Sequence, residues 1–408
     1  MSKNLVNIIF FTLIGTISIF VFQMLMTHIL PPTSFGIFAK WLTDIGYLGM
    51  FFVLGLDTSI LYYAKLGEKY EENMGKNFLI YTVVFMMCFT IIFIFKLDVK
   101  YYLPLFISII SFSITSVFRS YFHFHEEYFW FNFIGIIKPV LILMVFTFFY
   151  FCDFKFEIFE ILNLYAVISV CVLIIVAIKY FSVSGIIFNR NVFKNFSYFL
   201  FGFKSIINKV LSLSLYASTI YCLSFFGEIT DVAYFFIASG ISKLAWVLPD
   251  SAGNLLYPRF LKIGKDYEEK QIINEMIYYI NLIFALNIFG VILFYFIGEY
   301  LIALLYESSY AIIFTPIIIL LIGNQGMVLF KILGRYLTSK NNWKPMYVAL
   351  VIGILVNVML NVILIPKIGL IGASIATSLS FLSCGIYMAS LIDVKLFQLI
   401  NVFNVIKK

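Results

Sequence analysis

Charge is what this sequence has least of. Asp, Glu, Lys and Arg together make up 12% of its 408 residues, about half the share that a soluble domain carries. So few ionic side chains cannot cover a water-facing surface, and that excludes most enzymes with a catalytic domain outside a bilayer. Histidine is nearly missing: His28, His123 and His125 are the three. The last two stand two positions apart, where a helix would turn them to different faces. The five cysteines, Cys88, Cys152, Cys171, Cys222 and Cys384, lie mostly inside apolar blocks. They lack metal-ligand spacing, so neither a disulfide framework nor a zinc site is expected. No glycine loop that would cradle phosphate and no nucleotide-binding domain can be found. We therefore expect no catalytic constellation, no cofactor, no metal site and no direct use of ATP.

What the sequence does have is hydrocarbon. Hydrophobic residues make up 62% and aromatics 20%, with a mean hydropathy of +1.02. The apolar residues fall in blocks of membrane-spanning length. They predict helices at 5–29, 38–56, 77–95, 101–122, 129–151, 158–181, 197–225, 231–252, 275–303, 310–332, 344–365 and 368–391. The first run is too long for the core of a signal peptide and is followed by no small-residue cleavage site, so it reads as a retained span. The longest connections, near 57–76, 182–196 and 253–274, are charged, and no soluble domain fits between spans.

The basic residues set the orientation. With a cytoplasmic N-terminus, 21 of the 28 Lys and Arg residues fall on the cytoplasmic side and 5 outside, while Lys138 and Lys243 lie within spans. Both termini are then cytoplasmic. The formal charge of +7 reads as basic cytoplasmic loops rather than a nucleic-acid surface. A weak repeat accompanies this pattern. Thr33–Phe38 opens the second predicted helix and Thr230–Phe235 the eighth, 197 residues apart. Six helices plus six suggest an N-lobe over 1–182, a cytoplasmic linker over 183–196 and a C-lobe with a short tail over 197–408.

Five local patterns resemble the Wzx-type O-antigen and capsule flippases of the MOP exporter superfamily. Leu30 through Ala39 (LPPTSFGIFA) is similar to the family's LGPxxFGxYA turn, and Gly55 through Ile60 (GLDTSI) to its GLDTxI stretch. Ala238 through Lys243, with Leu248-Pro249 and Leu256 through Arg259, resembles the pattern of its eighth helix. Leu304 through Ala311 is the fourth. Asn361 through Thr377 is similar to NxxLIPxxGxxGAAxAT. The resemblance implies an all-α polytopic membrane fold of about twelve helices, in two six-helix lobes around a central cavity. It also implies an inner-membrane flippase for undecaprenyl-pyrophosphate-linked oligosaccharides, working by alternating access beside polysaccharide polymerase and chain-length proteins. Lipid II flippases of the superfamily carry charges in helix 1. Here that helix offers only Gln23, Thr27 and His28, which counts against peptidoglycan precursors. Gly36 and Gly369 are expected in tight outer turns. Pro366 is expected to stop a helix, and Gly369, Gly372 and Ala376 to form a close-packing face.

An anionic head group crossing hydrocarbon needs a wet, cationic path, because a charge at mid-bilayer costs about 2.5–3.5 kcal/mol or more. Lys243 and Lys138 lie too deep to reach water easily. Lys204 and Lys209 lie in the cytoplasmic part of the seventh helix, and Arg119 near the end of the fourth. For Lys204 and Arg119 the competing reading is snorkelling to the interface; for Lys138 and Lys243 it is a structural ion pair. Asn208, Ser212 and Tyr216 follow the lysines at roughly helical spacing and are candidates for contacting sugar. Asp44 and Asp57 are candidates for coupling to H⁺ or Na⁺, unless Asp44 only neutralises Lys243 or Lys40. Asp250 and Arg259 form either a gate pair or an ordinary interface pair. The rival functions are a MATE-type cation-coupled exporter, a membrane polysaccharide polymerase or ligase, and an assembly scaffold.

Overall fold

The computed structural model describes residues 3–53, 55, 57, 98–125, 127–152, 154, 156–184, 196–260, 263, 268–340 and 342–391. Among these residues the regular structure is helical. In chain order the helices are α1 (Lys3–Ile29), α2 (Pro32–Phe52), α3 (Val99–Phe124), α4 (Tyr128–Phe151), α5 (Ile158–Ser184), α6 (Phe196–Phe226), α7 (Ile229–Ser242), α8 (Val247–Phe260), α9 (Glu269–Leu305), α10 (Phe314–Ser339) and α11 (Lys344–Ser390). Short 3-10 segments precede α8 (Lys243–Trp246) and α10 (Ser308–Ile313). Eight spans among the described residues are long and apolar enough to cross a membrane. The all-α polytopic class expected from hydropathy is what the chain adopts. The predicted helix at 77–95 lies outside the described residues.

Several boundaries differ from expectation, each for a local reason. Helix α2 begins at Pro32 rather than residue 38, because proline at the first helical position gives up no needed hydrogen bond. Gly36 is therefore a buried helix residue, not a turn residue. The predicted helix at 231–252 is broken by the 3-10 turn Lys243–Trp246. Pro249, just beyond, cannot donate to the carbonyl of residue 245 and its ring crowds that carbonyl. Helix α10 runs on to Ser339, past the predicted end at 332, so Lys331 lies well inside it. In α11 the backbone breaks two residues after Pro366, at Ile368 and at Gly369 with φ +50°. That is a left-handed conformation that glycine accepts at low cost.

The chain divides into two compact units, Met1–Val210 and Leu211–Lys408, with the division inside α6. In the first unit α1 packs on α4, and α3 packs on both α5 and α2. Its centre is aromatic: Phe35, Phe38, Trp41, Phe118, Phe122 and Phe146 are fully buried. Trp41 stacks on Phe38 with 6.2 Å between centroids and meets Tyr165 edge-on at 5.2 Å. In lipid such packing replaces the hydrophobic drive of a soluble core.

The second unit is held by close backbone approach and by polar clasps. Helix α10 lies so near the last arm of α11 that a Cβ at Gly326 would be 2.0 Å from the Phe381 carbonyl oxygen. The two arms of α11 fold back on each other. Cys384 Sγ donates to the Ala349 carbonyl at 3.2 Å, and Asn357 Nδ2 donates to Thr377 Oγ1 and Ser380 Oγ at 3.5 Å. Thr219 of α6 joins this network through Asn357 Oδ1 at 3.1 Å and Thr377 Oγ1 at 2.9 Å. At the end of α10, Glu269 accepts from Tyr336 at 2.6 Å and pairs with Lys340. Burial alone would lower the Lys340 ammonium, but Glu269 and Tyr336 hold it above its ordinary value.

Candidate functional site

In the first unit α2, α3, α4 and α5 enclose a cavity of about 320 Å³. Each helix supplies one face at helical spacing. Ser111, Thr115 and Arg119 come from α3; Gly135, Lys138 and Pro139 from α4; Tyr165 and Ser169 from α5; Leu42, Ile45 and Gly46 from α2. Among the described residues the lining holds two cationic groups, Arg119 and Lys138, with hydroxyls from Ser111, Thr115, Ser116, Ser169 and Tyr165 and no carboxylate. Pro139 cannot return a hydrogen bond to the Gly135 carbonyl, which loosens the α4 ladder beside the cavity.

Arg119 is fixed by α4. Its Nε donates to the Phe131 carbonyl at 3.0 Å, and its guanidinium carbon lies 4.2 Å from the centre of the Phe131 ring. Lys138 is held differently: its Nζ sits 4.3 Å from the centre of the Tyr165 ring. Among the described residues neither has a carboxylate within 4.0 Å. A cation over a ring gains about 0.5–2 kcal/mol, less than the cost of holding a charge at mid-bilayer. For Arg119 the Phe131 carbonyl adds to this, and water or an anion in the cavity would add to it for both. The structural ion pair considered for Lys138 is therefore not what holds it.

The remaining candidates are distributed elsewhere. Lys209 pairs with Asp57 at 2.6 Å, so this lysine and this coupling candidate engage each other. Asp44, on α2, accepts from the Tyr101 hydroxyl at 3.2 Å and lies off the cavity face. The side chains of Lys204 and Asn208 lie outside the described residues. In the second unit Lys243 stands over Tyr216 at 4.6 Å and beside Trp246 at 5.9 Å. Ser212 lies one turn before Tyr216 on α6. Asp250 and Arg259 do not form a gate pair: nine residues apart on α8, they rise about 13 Å from each other. Asp250 binds Lys331 at 2.6 Å and Arg335 at 3.6 Å, while Arg259 pairs with Glu275. Among the described residues no group of three or more potential metal ligands occurs.

Two residues escaped the sequence reading. Lys331 looked like a helix end but sits over Trp246 at 4.6 Å. Asn324 repairs the break between α7 and α8. Its Nδ2 donates to the freed Ser242 carbonyl at 2.7 Å, and its Oδ1 accepts from Trp246 Nε1 at 2.9 Å. Broken backbone inside a membrane survives only where protein or water satisfies it. Pro249 was the available signal for that break; nothing in the sequence named its partner.

The helix order and the broken α7–α8 element can be set against solved structures. The lipid II flippase MurJ, in an inward closed conformation, superposes with a TM-score of 0.77 at 16% identity, over 97% of this chain and 90% of that one. This chain shares the fold of that structure. An inward-facing multidrug resistance MATE family transporter of the MOP superfamily gives 0.68 at 11% identity, over the whole of both chains. A MOP superfamily transporter from Pyrococcus furiosus, described as having a binding pocket of reversed polarity, gives 0.56 at 11%, over 99% and 95%. No protein-family model and no curated protein sequence matches the chain. At these identities the likeness is one of fold, and it agrees with the superfamily that the five sequence patterns resemble.

Proposed function

We propose that this chain is a flippase that carries undecaprenyl-pyrophosphate-linked oligosaccharides from the cytoplasmic to the outer face of the bacterial inner membrane by alternating access. The observation that carries the reading is the first-unit cavity, which holds Arg119 and Lys138 among hydroxyls and, among the described residues, no carboxylate. The guanidinium and ammonium suit phosphate oxygens. The hydroxyls suit the first sugar, and the polyprenyl tail stays in lipid. Lys243, at its aromatic platform in the second unit, is a further candidate contact. The membrane potential favours the direction of transport: each negative charge leaving the negative side gains about 2.3 kcal/mol per 100 mV. H⁺ or Na⁺ coupling is an alternative drive, and a polysaccharide polymerase is the expected partner downstream.

The test is surface polysaccharide in a strain that depends on this chain. Arg119→Ala and Lys138→Ala should each abolish it at normal protein level. Gly46→Phe should do the same by filling the cavity, since a Cβ at Gly46 meets nothing within 4 Å. Full export from the Arg119→Ala, Lys138→Ala double variant would overturn the proposal. The MATE-like fold keeps a second reading open, a small-molecule exporter. Such an exporter is expected to bind cationic drugs, so their tight binding by the purified chain would favour that reading over the flippase.

A further inference from the structure

Glycine is a poor helix former, and a glycine inside a helix calls for a local reason. Gly135 lies in the interior of α4 and lines the cavity. A Cβ at this position would stand 3.0 Å from Arg119 Nη2, 3.2 Å from Cζ and 3.6 Å from Nη1. The guanidinium thus rests against bare backbone. The rest of its seat comes from the preceding turn of the same helix, where Phe131 gives its carbonyl to Nε at 3.0 Å and its ring at 4.2 Å. Nε is committed to the protein, while among the described residues no hydrogen bond is made by Nη1 or Nη2. A guanidinium held by Nε keeps its planar geometry and can offer its outer N–H groups to paired oxygens.

We infer that Gly135 is a positioning residue for an anion site: it seats Arg119 so that the terminal nitrogens take two oxygens of one phosphate group. This deepens the function proposed above and rests on it. The ligand chemistry is a diphosphate, whether free or carried on a lipid. Gly290, on α9 of the second unit and outside this cavity, serves as an internal control, because a Cβ there meets nothing within 4 Å.

The experiment measures binding to the full chain, purified in detergent, of inorganic pyrophosphate and separately of a polyprenyl diphosphate-linked oligosaccharide. Gly135→Ala should weaken both about tenfold, the size of one charge-assisted hydrogen bond, and Gly290→Ala should weaken neither. In an Arg119→Lys background, which has no fork to displace, Gly135→Ala should add less than about a twofold loss. An unchanged tenfold loss in that background would show that the glycine serves helix packing, and would overturn the inference. So would loss for the lipid-linked ligand alone, because the glycine would then accommodate lipid or sugar rather than phosphate. Wild-type binding of both ligands with no effect of Gly135→Ala removes this inference and leaves the flippase reading standing. Wild-type binding of neither removes both.

Discussion

Two sets of cations, one in each unit, are held in opposite ways. In the first, Arg119 and Lys138 face a cavity and lean on rings and a carbonyl. In the second, Lys331 and Arg335 converge on Asp250, and Arg259 on Glu275. A cation already matched to a carboxylate has little left to offer a ligand. One matched only to an aromatic face keeps most of its attraction for an anion. Their charge alone would have ranked the two sets alike; what separates them is where the acids sit.

That contrast can be attacked directly. The largest effect should come from making the first unit resemble the second. Thr115→Asp places a carboxylate one turn before Arg119 on α3, and the resulting ion pair should cut pyrophosphate binding by about 100-fold. Unchanged affinity in calorimetry would mean that the cavity does not act through its net charge. Next is Asn324→Leu, which strands the Ser242 carbonyl and the Trp246 indole. It should lower stability by about 2 kcal/mol, read as a lower melting temperature in detergent. Asp250→Asn should cost somewhat less, about 1–2 kcal/mol, because its carboxylate is 43% exposed and partly screened. If Asp250→Asn instead improves anion binding, the second unit too holds a latent site. The smallest change is expected from Lys340→Ala at the Glu269 pair. Both partners are about half exposed, so the shift should stay near or below about 0.5 kcal/mol.

Much of the architecture was legible because hydrocarbon length is a one-dimensional property. The helix at 129–151 and the one beginning at 158 needed only the chain's own hydropathy. Arg119 and Lys138 were also visible, since a cation deep in an apolar run is conspicuous on its own. Partners were not. The Lys209–Asp57 pair joins positions 152 residues apart, and Asn324 lies 82 positions from the carbonyl that it rescues. Such meetings depend on three-dimensional packing, which a single sequence does not spell out. The expected pairing of Asp250 with Arg259 failed for a simpler reason: once both lie on α8, helical rise keeps them apart. Gly135 passed unnoticed because a glycine in a helix looks the same whether it serves packing or makes room for a neighbour.

The reversal at Gly369 bears on how the last part of the chain enters a bilayer. The two arms of α11 meet through Asn357, Thr377 and Ser380, so side chains that are costly to bring into lipid singly find each other within one continuous stretch. Biogenesis could then deliver both arms together as a preassembled hairpin. A stiffer residue at 369 would make each arm insert alone, with the Asn357 amide of the first unanswered by the hydroxyls of the second, and would slow membrane integration before any transport defect could be measured.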